Sequence, residues 1–420
     1  MYKVIVAHPA QQHSYKTAVA LKKHNYLFKY VTTVYNKKKS LTRIVIKFLT
    51  GNILERANNR RTNELEDSEI KQFCEIESLV LLFLQRVDKN KRIYNFFNRY
   101  INKKFNKKLV KYSIKNKIDL IILFDKYASS AFEMLERKDS SIVKVLDCSA
   151  PNFVFMNDIF HNYVKTNNIH QYLNEFTSKE NIRTKNETIK ETNLADFFLS
   201  ASNFTTKSLM RADIKKNKIY HCPYDIELPL LKLGNETPKD YKIKLRCLFV
   251  GRVTYKKGVL ELFKAIEKLS VNKFEFTFVG SYDIKDKEIS KYKDKYNFSG
   301  HISKIKMDEI YRNSDILVFP SLADGFGLSV VEALSYGIPV ICSKNTGACD
   351  IIKDGFNGFQ INAGAEREIY DKLMWFDLNR KELSKMSQNS IESAKNNNKE
   401  RYSDRIQLMV KDVLRANKIR

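Results

Sequence analysis

The chain has 420 residues, of which 74 are Lys or Arg and 48 are Asp or Glu, so its formal net charge is +26, and 43% of it is hydrophobic. This composition excludes a disordered tail, a collagen and a coiled coil. Because single cores stop growing beyond roughly 250 to 300 residues, the length predicts two domains. The six scattered cysteines include no C-x-x-C pair, which argues against a disulfide scaffold or a zinc site and indicates a cytosolic protein.

The first half alternates short apolar runs with helical patterns. The runs lie at 3–7, 26–34, 118–124, 142–147 and 196–202. Strands separated by helices predict a parallel sheet. Between Asn36 and Asn116 there is no Pro and one Gly, and apolar residues recur at three and four spacing, so we expect a helical insertion that faces an acceptor or a membrane. No apolar run approaches the roughly 20 residues that would cross a bilayer.

The second half repeats this alternation with many more glycines. Its runs lie at 244–251, 274–280, 315–321 and 338–343, with helices expected at about 257–269 and 326–336. This pattern predicts a second doubly wound sheet, in which ligands bind at the carboxyl ends of the strands. Three prolines between 223 and 242 suit a linker. We therefore place the domains at 1–225 and 244–398, with a linker at 226–243.

The segment VGRVTYKKG runs from a strand end through a loop into a helix, from Val250 to Gly258. It brings Arg252 and Lys257 to the edge of the sheet, where a helix N-terminus also points its amides. Arg grips phosphate oxygens with two donors and Lys adds a point charge, so this place suits a diphosphate without a metal. The alternative is that both are ordinary loop cations.

A second segment, PSLADGFGLSVVEALSYGIPVI, carries two carboxylates eight residues apart, Asp324 and Glu332. Along a helix this spacing gives up to roughly 12 Å, the length of an extended nucleotide sugar. One carboxylate can hold sugar hydroxyls and the other ribose hydroxyls, with the amides of Phe326, Gly327 and Leu328 facing the phosphates between them. The alternative is that Asp324 caps the helix and Glu332 is a surface acid.

Both segments together resemble the retaining glycosyltransferases of family four, also called group 1, which have the GT-B fold of two Rossmann-like domains facing across a cleft. VGRVTYKKG looks like that family's donor-diphosphate clamp, which includes Gly251, and the Asp324-x7-Glu332 pattern looks like its Glu-x7-Glu motif. The resemblance implies that Arg252 and Lys257 hold the diphosphate, Asp324 the donor sugar and Glu332 the ribose. It also implies that the last helix, within 399–420, packs back on the N-terminal domain.

The N-terminal segment HPAQQHSYKTAVAL is similar to a variant found in capsule and surface-polysaccharide transferases. In that resemblance His8, Gln12, His13 and Ser14 reach with their side chains towards the donor phosphate or the acceptor. The family implies transfer of a sugar from a nucleotide-diphosphate sugar to an acceptor hydroxyl with retention, in surface polysaccharide or glycolipid synthesis. No Asp-x-Asp lies at a strand end, so no cofactor or metal is expected.

Charge is concentrated at the start of the chain, where residues 1–50 carry ten Lys or Arg and no Asp or Glu. Such an end would bring the protein to the anionic inner face of a cell membrane, where it could meet a saccharide or lipid-linked acceptor. The same charge is also consistent with ordinary solvated faces. No nucleic-acid-binding pattern organises it, so nucleic acid is not an expected partner.

Two other functions fit the same fold. A non-catalytic partner subunit would keep the fold with a decayed donor site, an idea that the shorter acid Asp324 favours and that Arg252, Lys257 and Glu332 oppose. A sugar-nucleotide epimerase would need a hydrolytic or elimination base that the sequence does not identify.

Overall fold

A computed structural model describes residues 2–10, 13–58, 60–88, 91–225, 244–282, 286–300, 302–398 and 401–418. Its strands form two sheets in which every pairing is parallel. The first sheet contains β1 Val4–Ala7, β2 Leu27–Thr32, β3 Ile70–Gln72, β4 Leu120–Phe124, β5 Val143–Cys148, β6 Phe197–Ser200 and β7 Ile219–His221. The second contains β8 Leu245–Val250, β9 Phe274–Val279, β10 Asn297–Gly300, β11 Ile316–Phe319, β12 Val340–Ser343 and β13 Gly358–Ile361.

Helices connect these strands and cover both faces of each sheet. In the first half, the helices are α1 Ser14–Lys23, α2 Leu41–Ile46, α3 Gly51–Asn58, α4 Glu75–Val87, α5 Arg92–Lys115, α6 Ser129–Lys138, α7 Phe153–Thr166, α8 Leu173–Thr177, α9 Lys179–Leu194 and α10 Asn203–Met210. In the second half they are α11 Val259–Glu267, α12 Lys287–Ser290, α13 Lys304–Arg312, α14 Leu328–Ser335, α15 Glu366–Leu378, α16 Leu383–Asn397 and α17 Tyr402–Lys418.

The first sheet has the order β3-β2-β1-β4-β5-β6-β7, so the strand order reverses between β1 and β4. Both of these strands are buried along their whole length, as the apolar sequences VIVA and LIILF require for central strands covered on two faces. The crevice at the reversal lies outside the carboxyl ends of the strands, which is where doubly wound folds bind ligands.

The second sheet has the order β10-β9-β8-β11-β12-β13 and reverses between β8 and β11. The two segments singled out in the sequence follow these two strands, VGRVTYKKG after β8 and PSLADGFG after β11. Both therefore meet at one crevice of the second sheet. The predicted pair of doubly wound sheets is confirmed.

The predicted helical insertion is confirmed for α2 to α5 but wrong in one respect. Ile70–Gln72 forms β3, which pairs with β2 through Tyr30 to Thr32 at the edge of the first sheet. Only Ile70 of this strand is buried, and Lys71 is exposed. A three-residue edge strand with one buried side chain leaves no alternating pattern in the sequence.

The last helix, α17, lies against α1. The Tyr402 hydroxyl is hydrogen-bonded to Thr17 Oγ1 at 2.9 Å, and the Tyr402 amide donates to Asp225 Oδ1 at 2.7 Å. The predicted linker at 226–243 and the ends of the predicted last helix, 399–400 and 419–420, lie outside the described residues, so the domain boundaries stay predictions. Among the described helices, none is long and apolar enough to cross a membrane.

Candidate functional site

A cleft of about 1040 Å³ opens at the carboxyl edge of the second sheet. Four residues named from the sequence line it, namely Gly251, Arg252, Leu328 and Glu332. Lys16 of α1 lines it from the first half of the chain. The rest of the wall comes from the ends of β9 and β10 and from α13 and α14, including Gly280, Ser281, Gly300, Ile302, Ser303 and Met307. The cleft is thus shared by both halves.

Arg252 is an exposed side chain in this wall, directly after the end of β8. Among the described residues it forms no ion pair or side-chain hydrogen bond. Its guanidinium group therefore keeps its donors for a ligand, and a group with an anionic oxygen is what such a fork recognises.

Lys257 and Asp324 form an ion pair across 67 residues of sequence, between Lys257 Nζ and Asp324 Oδ2. Both side chains are mostly buried, with 27% and 15% of their surface exposed. The loop carrying Asp324 is tied to the loop carrying Lys257, because the Leu322 amide donates to the Lys256 carbonyl at 3.0 Å. The sequence placed these two groups on separate parts of a ligand, whereas the structure brings them into contact.

Gly258 allows this contact. Its φ is +70°, in the left-handed region, and a Cβ atom there would lie 2.0 Å from the carbonyl oxygen of Pro320. Only glycine lets the loop after β8 touch the loop after β11 at this distance. The Lys-Gly pair of the sequence is therefore the local reason that Lys257 reaches Asp324.

Asp324 lies in a loop ahead of α14, and this corrects two expectations. The Asp324 amide donates to the Asn345 carbonyl at 2.9 Å, and the residue forms an isolated bridge with Thr346. Since α14 begins at Leu328, the rise of a helix does not set the separation of Asp324 from Glu332. The alternative that Asp324 caps the helix is also wrong, because Gly327 occupies the N-cap position.

The start of α14 presents backbone amides as expected. Within the described part of the chain, the N–H groups of Phe326, Gly327 and Leu328 donate to no protein acceptor. The Phe326 side chain is buried, whereas Leu328 is 45% exposed and lines the cleft. Free amides at a helix N-terminus attract anions.

Glu332 points into the cleft from α14, where the Tyr311 hydroxyl donates a 2.9 Å hydrogen bond to Glu332 Oε2. Burial and the nearby carboxylate raise the pKa of Tyr311. Tyr311 stacks on Tyr336 with ring centroids 5.0 Å apart, and burial raises the pKa of Tyr336 to about 12. The sequence reasoning missed both tyrosines, although Tyr336 ends the same motif helix.

The two N-terminal candidates have different surroundings. Ser14 is completely buried and hydrogen-bonded to the Tyr30 hydroxyl at 2.9 Å, so its side chain does not reach the cleft, contrary to expectation. His13 is partly exposed at the carboxyl edge of the first sheet, with Nε2 3.8 Å from Asp147 Oδ1. Its ring lies 4.7 Å from that of Tyr224. Gln12 lies outside the described residues.

Direct contacts join the two halves beside the cleft. A Cβ atom on Gly325 would lie 2.1 Å from the Ser149 carbonyl oxygen, and Ser202 Oγ donates to the Gly325 carbonyl at 2.9 Å. The Tyr224 ring meets the Phe326 ring edge-on at 5.6 Å. The loop that carries Asp324 therefore packs against the first half of the chain. Nothing in the sequence marks Ser149 or Ser202 as its neighbours.

Among the described residues, no group of three or more His, Cys, Asp or Glu side chains is arranged to hold a metal ion. The charges that face the cleft are those of Lys16, Arg252 and Glu332, with Lys304, Asp308 and Arg312 along α13. Cations thus outnumber carboxylates around the cleft, which favours an anionic ligand.

Residues 236–393 match the family model for glycosyl transferases group 1. This match lies in the C-terminal half of the chain and includes both segments named above. The two sheets give the chain a GT-B fold. An uncharacterized 41.2 kDa protein in the cps region of Klebsiella pneumoniae is 27% identical over 261 residues, which are 59% of this chain and 66% of that one. The chain spans less than two thirds of the length of the first curated relatives that it matches.

Solved structures resemble the whole chain in fold. The Anabaena protein HepE in complex with UDP has a TM-score of 0.61 at 13% identity, covering 98% of this chain and 99% of HepE. The lipopolysaccharide outer core galactosyltransferase WaaB has a TM-score of 0.63 at 15% identity, with the same coverage of both chains. HepE has also been solved with UDP-glucose.

Proposed function

We propose that this protein transfers a sugar from a nucleotide-diphosphate sugar to an acceptor hydroxyl with retention of the anomeric configuration. The observation that carries the proposal is the convergence of Arg252, the free amides at the start of α14 and Glu332 on one cleft, beside the Lys257–Asp324 ion pair. HepE, whose fold this chain shares, binds UDP and UDP-glucose, which agrees with such a donor.

In this proposal the donor lies along α14. Glu332 accepts hydrogen bonds from the ribose hydroxyls, and the Tyr311 hydroxyl fixes the orientation of that carboxylate. Arg252 and the amides of Gly327 and Leu328 bind the diphosphate. Arg252, Lys257 and these amides oppose the negative charge of the diphosphate, so no cofactor or divalent metal is proposed.

The Lys257–Asp324 pair lies where the diphosphate meets the sugar. The Lys257 ammonium stabilises the charge that develops on the diphosphate oxygen as its bond to the anomeric carbon breaks. Asp324 binds hydroxyls of the donor sugar, which orients the anomeric carbon. The acceptor hydroxyl attacks from the side on which the diphosphate leaves, and its proton passes to that diphosphate, so the configuration is retained.

The acceptor in this proposal is a saccharide or lipid-linked glycan of surface polysaccharide or glycolipid synthesis, a hexose being the transferred sugar. The support is the similarity to a cps-region protein and the fold shared with the lipopolysaccharide galactosyltransferase WaaB. The proposed sugar transfer would take place in the cytoplasm, at the inner face of the cell membrane.

Donor binding tests the proposal directly. The purified chain is heated with UDP, GDP, ADP and CMP sugars, with release of free nucleotide followed in parallel. One sugar nucleotide should raise the unfolding midpoint, because a ligand that binds only the folded state stabilises it. The same donor should be hydrolysed slowly without acceptor.

The control is Arg252→Ala, which removes an exposed side chain and should abolish the shift while leaving the unliganded midpoint unchanged. A folded wild-type chain that binds none of the donors would overturn the proposal in favour of a non-catalytic partner subunit. Conversion of the donor to an epimeric sugar nucleotide, without transfer, would favour the epimerase alternative.

A further inference from the structure

One region of the surface holds more than half of the large apolar side chains that are exposed in the described part of the chain. These lie on α2 to α5 and just after α2, namely Leu41, Ile44, Val45, Phe48, Ile53, Ile76, Val80, Phe83, Val87, Ile93, Phe96 and Tyr100. Phe48, Phe83 and Phe96 expose 81%, 60% and 65% of their surface. Monomeric soluble proteins seldom leave such a concentration of aromatic and aliphatic groups facing water.

The apolar side chains form an ordered stripe on α4. Ile76, Val80, Phe83 and Val87 follow each other at intervals of four, three and four residues, which places them along one face of the helix. Leu81, on another face, packs against the core of the first sheet. The stripe therefore points away from the protein's own core and needs an apolar partner.

A cationic pocket of about 480 Å³ lies beside this stripe, around α2. Lys38, Lys39, Arg43 and Lys47 line it, and all four side chains are exposed. None of the four side chains forms an ion pair with a described residue. Glu75, the acid among the lining residues, accepts hydrogen bonds at Oε1 from the amide and hydroxyl of Thr42, at 2.8 and 2.6 Å. The pocket is thus built for an anionic group such as a phosphate.

Acidic side chains are scarce on α4 and α5, the two long helices that carry exposed apolar side chains. The 24 residues of α5 include eight Lys or Arg and no Asp or Glu. On α4, Glu77 is neutralised by an ion pair with Lys104 of α5. An exposed apolar stripe flanked by unpaired cations complements a bilayer that carries anionic lipids, because the lipid tails accept the stripe and the headgroups accept the cations.

We propose that the exposed apolar side chains of α2, α4 and α5, together with Lys38, Lys39, Arg43 and Lys47, form a docking face for an anionic lipid bilayer. A lipid phosphate occupies the cationic pocket while Phe48 and Phe83 enter the headgroup boundary. The inference rests on the proposed function for the acceptor that the membrane presents.

The position of the docking face fits delivery of such an acceptor. The loop from β2 to α2 leaves the carboxyl edge of the first sheet, which is also the edge that carries His13. Thr33 in this loop donates to the Pro9 carbonyl at 2.6 Å, which joins it to the loop after β1. A membrane against the docking face therefore lies beside the His13 end of the sheet edge.

Vesicle flotation of the full chain tests the inference. Vesicles of phosphatidylcholine with about one third phosphatidylglycerol should carry the protein at least tenfold better than phosphatidylcholine alone, and about 1 M salt should weaken this preference. The fourfold variant K38Q/K39Q/R43Q/K47Q should lose at least about tenfold in binding. F48S/F83S should lose a similar amount, and this loss should persist at high salt.

Two control variants carry the same kinds of substitution at exposed positions outside the docking face. K381Q/K385Q/K411Q/R415Q alters four exposed cations, Lys381 just before α16, Lys385 on α16, and Lys411 and Arg415 on α17. I305S/L378S alters two side chains that are 82% and 73% exposed. Both should float like wild type. An equal loss in the controls would overturn the inference, as would binding of inorganic phosphate by the chain without any binding to vesicles. Concentration-dependent self-association that F48S/F83S abolishes, without vesicle binding, would assign the face to a second copy instead.

The donor thermal shift of the same variants separates this inference from the proposed function. All four variants should keep it, since none of the substituted residues lines the cleft. Failure to float with the shift intact would refute only the docking face. Flotation without any donor binding would refute only the transferase.

Discussion

The ammonium group of Lys257 touches the carboxylate of Asp324 although 67 residues separate them in sequence. The contact joins the loop after β8 to the loop after β11, the two strands between which the second sheet reverses its order. In the absence of a donor, the ion pair fixes the positions of both side chains. In the proposed function a diphosphate competes with Asp324 for Lys257, so we expect donor binding to rearrange this pair.

The proposed function predicts that Lys257 is far more important for turnover than its neighbour Lys256. Lys257→Ala should lower the turnover number by about 10²- to 10³-fold, because it removes a cation aimed at the developing charge. Lys256→Ala breaks an exposed ion pair with Glu175 and should change turnover by less than about threefold. Steady-state transfer with the identified donor measures both. Equal losses in the two variants would contradict the assignment.

Glu332 should act through the ribose alone. Glu332→Gln should weaken nucleoside diphosphate binding by about ten- to a hundredfold, because hydrogen bonds to a charged carboxylate are lost. A 2′,3′-dideoxy nucleotide should bind wild type and variant nearly equally, and calorimetry can measure all four affinities. Tyr311→Phe should produce a smaller loss, since Tyr311 only orients the carboxylate. A variant that weakens both nucleotides equally would contradict the ribose contact.

A comparison of Gly258 with Gly355 distinguishes the stability cost of backbone strain from the cost of a steric clash. Gly258 and Gly355 have nearly equal φ angles of +70° and +72°, but a Cβ atom at Gly258 would strike Pro320 whereas one at Gly355 meets nothing within 4 Å. Gly355→Ala should cost about 1 kcal/mol of unfolding free energy. Gly258→Ala should cost more than about 3 kcal/mol, because two loops must also move apart. Urea denaturation compares them, and similar losses would show that the loops separate easily.

Stability should depend on pH through Glu191, a completely buried acid of α9. Burial raises its pKa to about 8, although the amides of Lys126 and Ala128 donate to its carboxylate. The folded chain therefore retains a proton that the unfolded chain releases near pH 4.5. The unfolding free energy should fall, by up to about 5 kcal/mol, as pH rises from about 4.5 to 8.

Glu191→Gln should weaken the dependence of the unfolding free energy on pH, because the glutamine side chain does not titrate in this range. Chemical denaturation at a series of pH values between 5 and 8 gives the slope for each chain. A slope that the substitution leaves unchanged would assign the pH dependence to other groups.

The longer strands of both sheets could be predicted because each is a short run rich in apolar residues. β4, with the sequence LIILF, and β8, with LRCLFV, are examples. β3 and β7 are three residues long, and β10 carries the sequence NFSG, so none shows a pattern that distinguishes it from a loop. Their pairing depends on the neighbouring strand and not on their own side chains.

The site could be predicted as two segments but not as one arrangement. Arg252 and Glu332 line the cleft as expected, since each follows from its place at the end of β8 or on α14. The contact of Lys257 with Asp324 depends on the approach of Gly258 to Pro320, which no local pattern specifies. The burial of Ser14 could not be predicted from the local sequence either, because its hydrogen-bond partner Tyr30 belongs to β2 and the two meet only in the folded chain.

The hydrogen bond from the Tyr402 amide to Asp225 joins the point where the chain leaves the first sheet to the point where it returns from the second. Because both covalent crossings are held at one place, we expect rotation about Asp225 and Tyr402 to be the main relative motion of the two halves. Tyr224, beside this place, lies against both Tyr402 and Phe326. We therefore expect the loop that carries Asp324 to lie near the axis of such a rotation, where an opening of the cleft would displace it least.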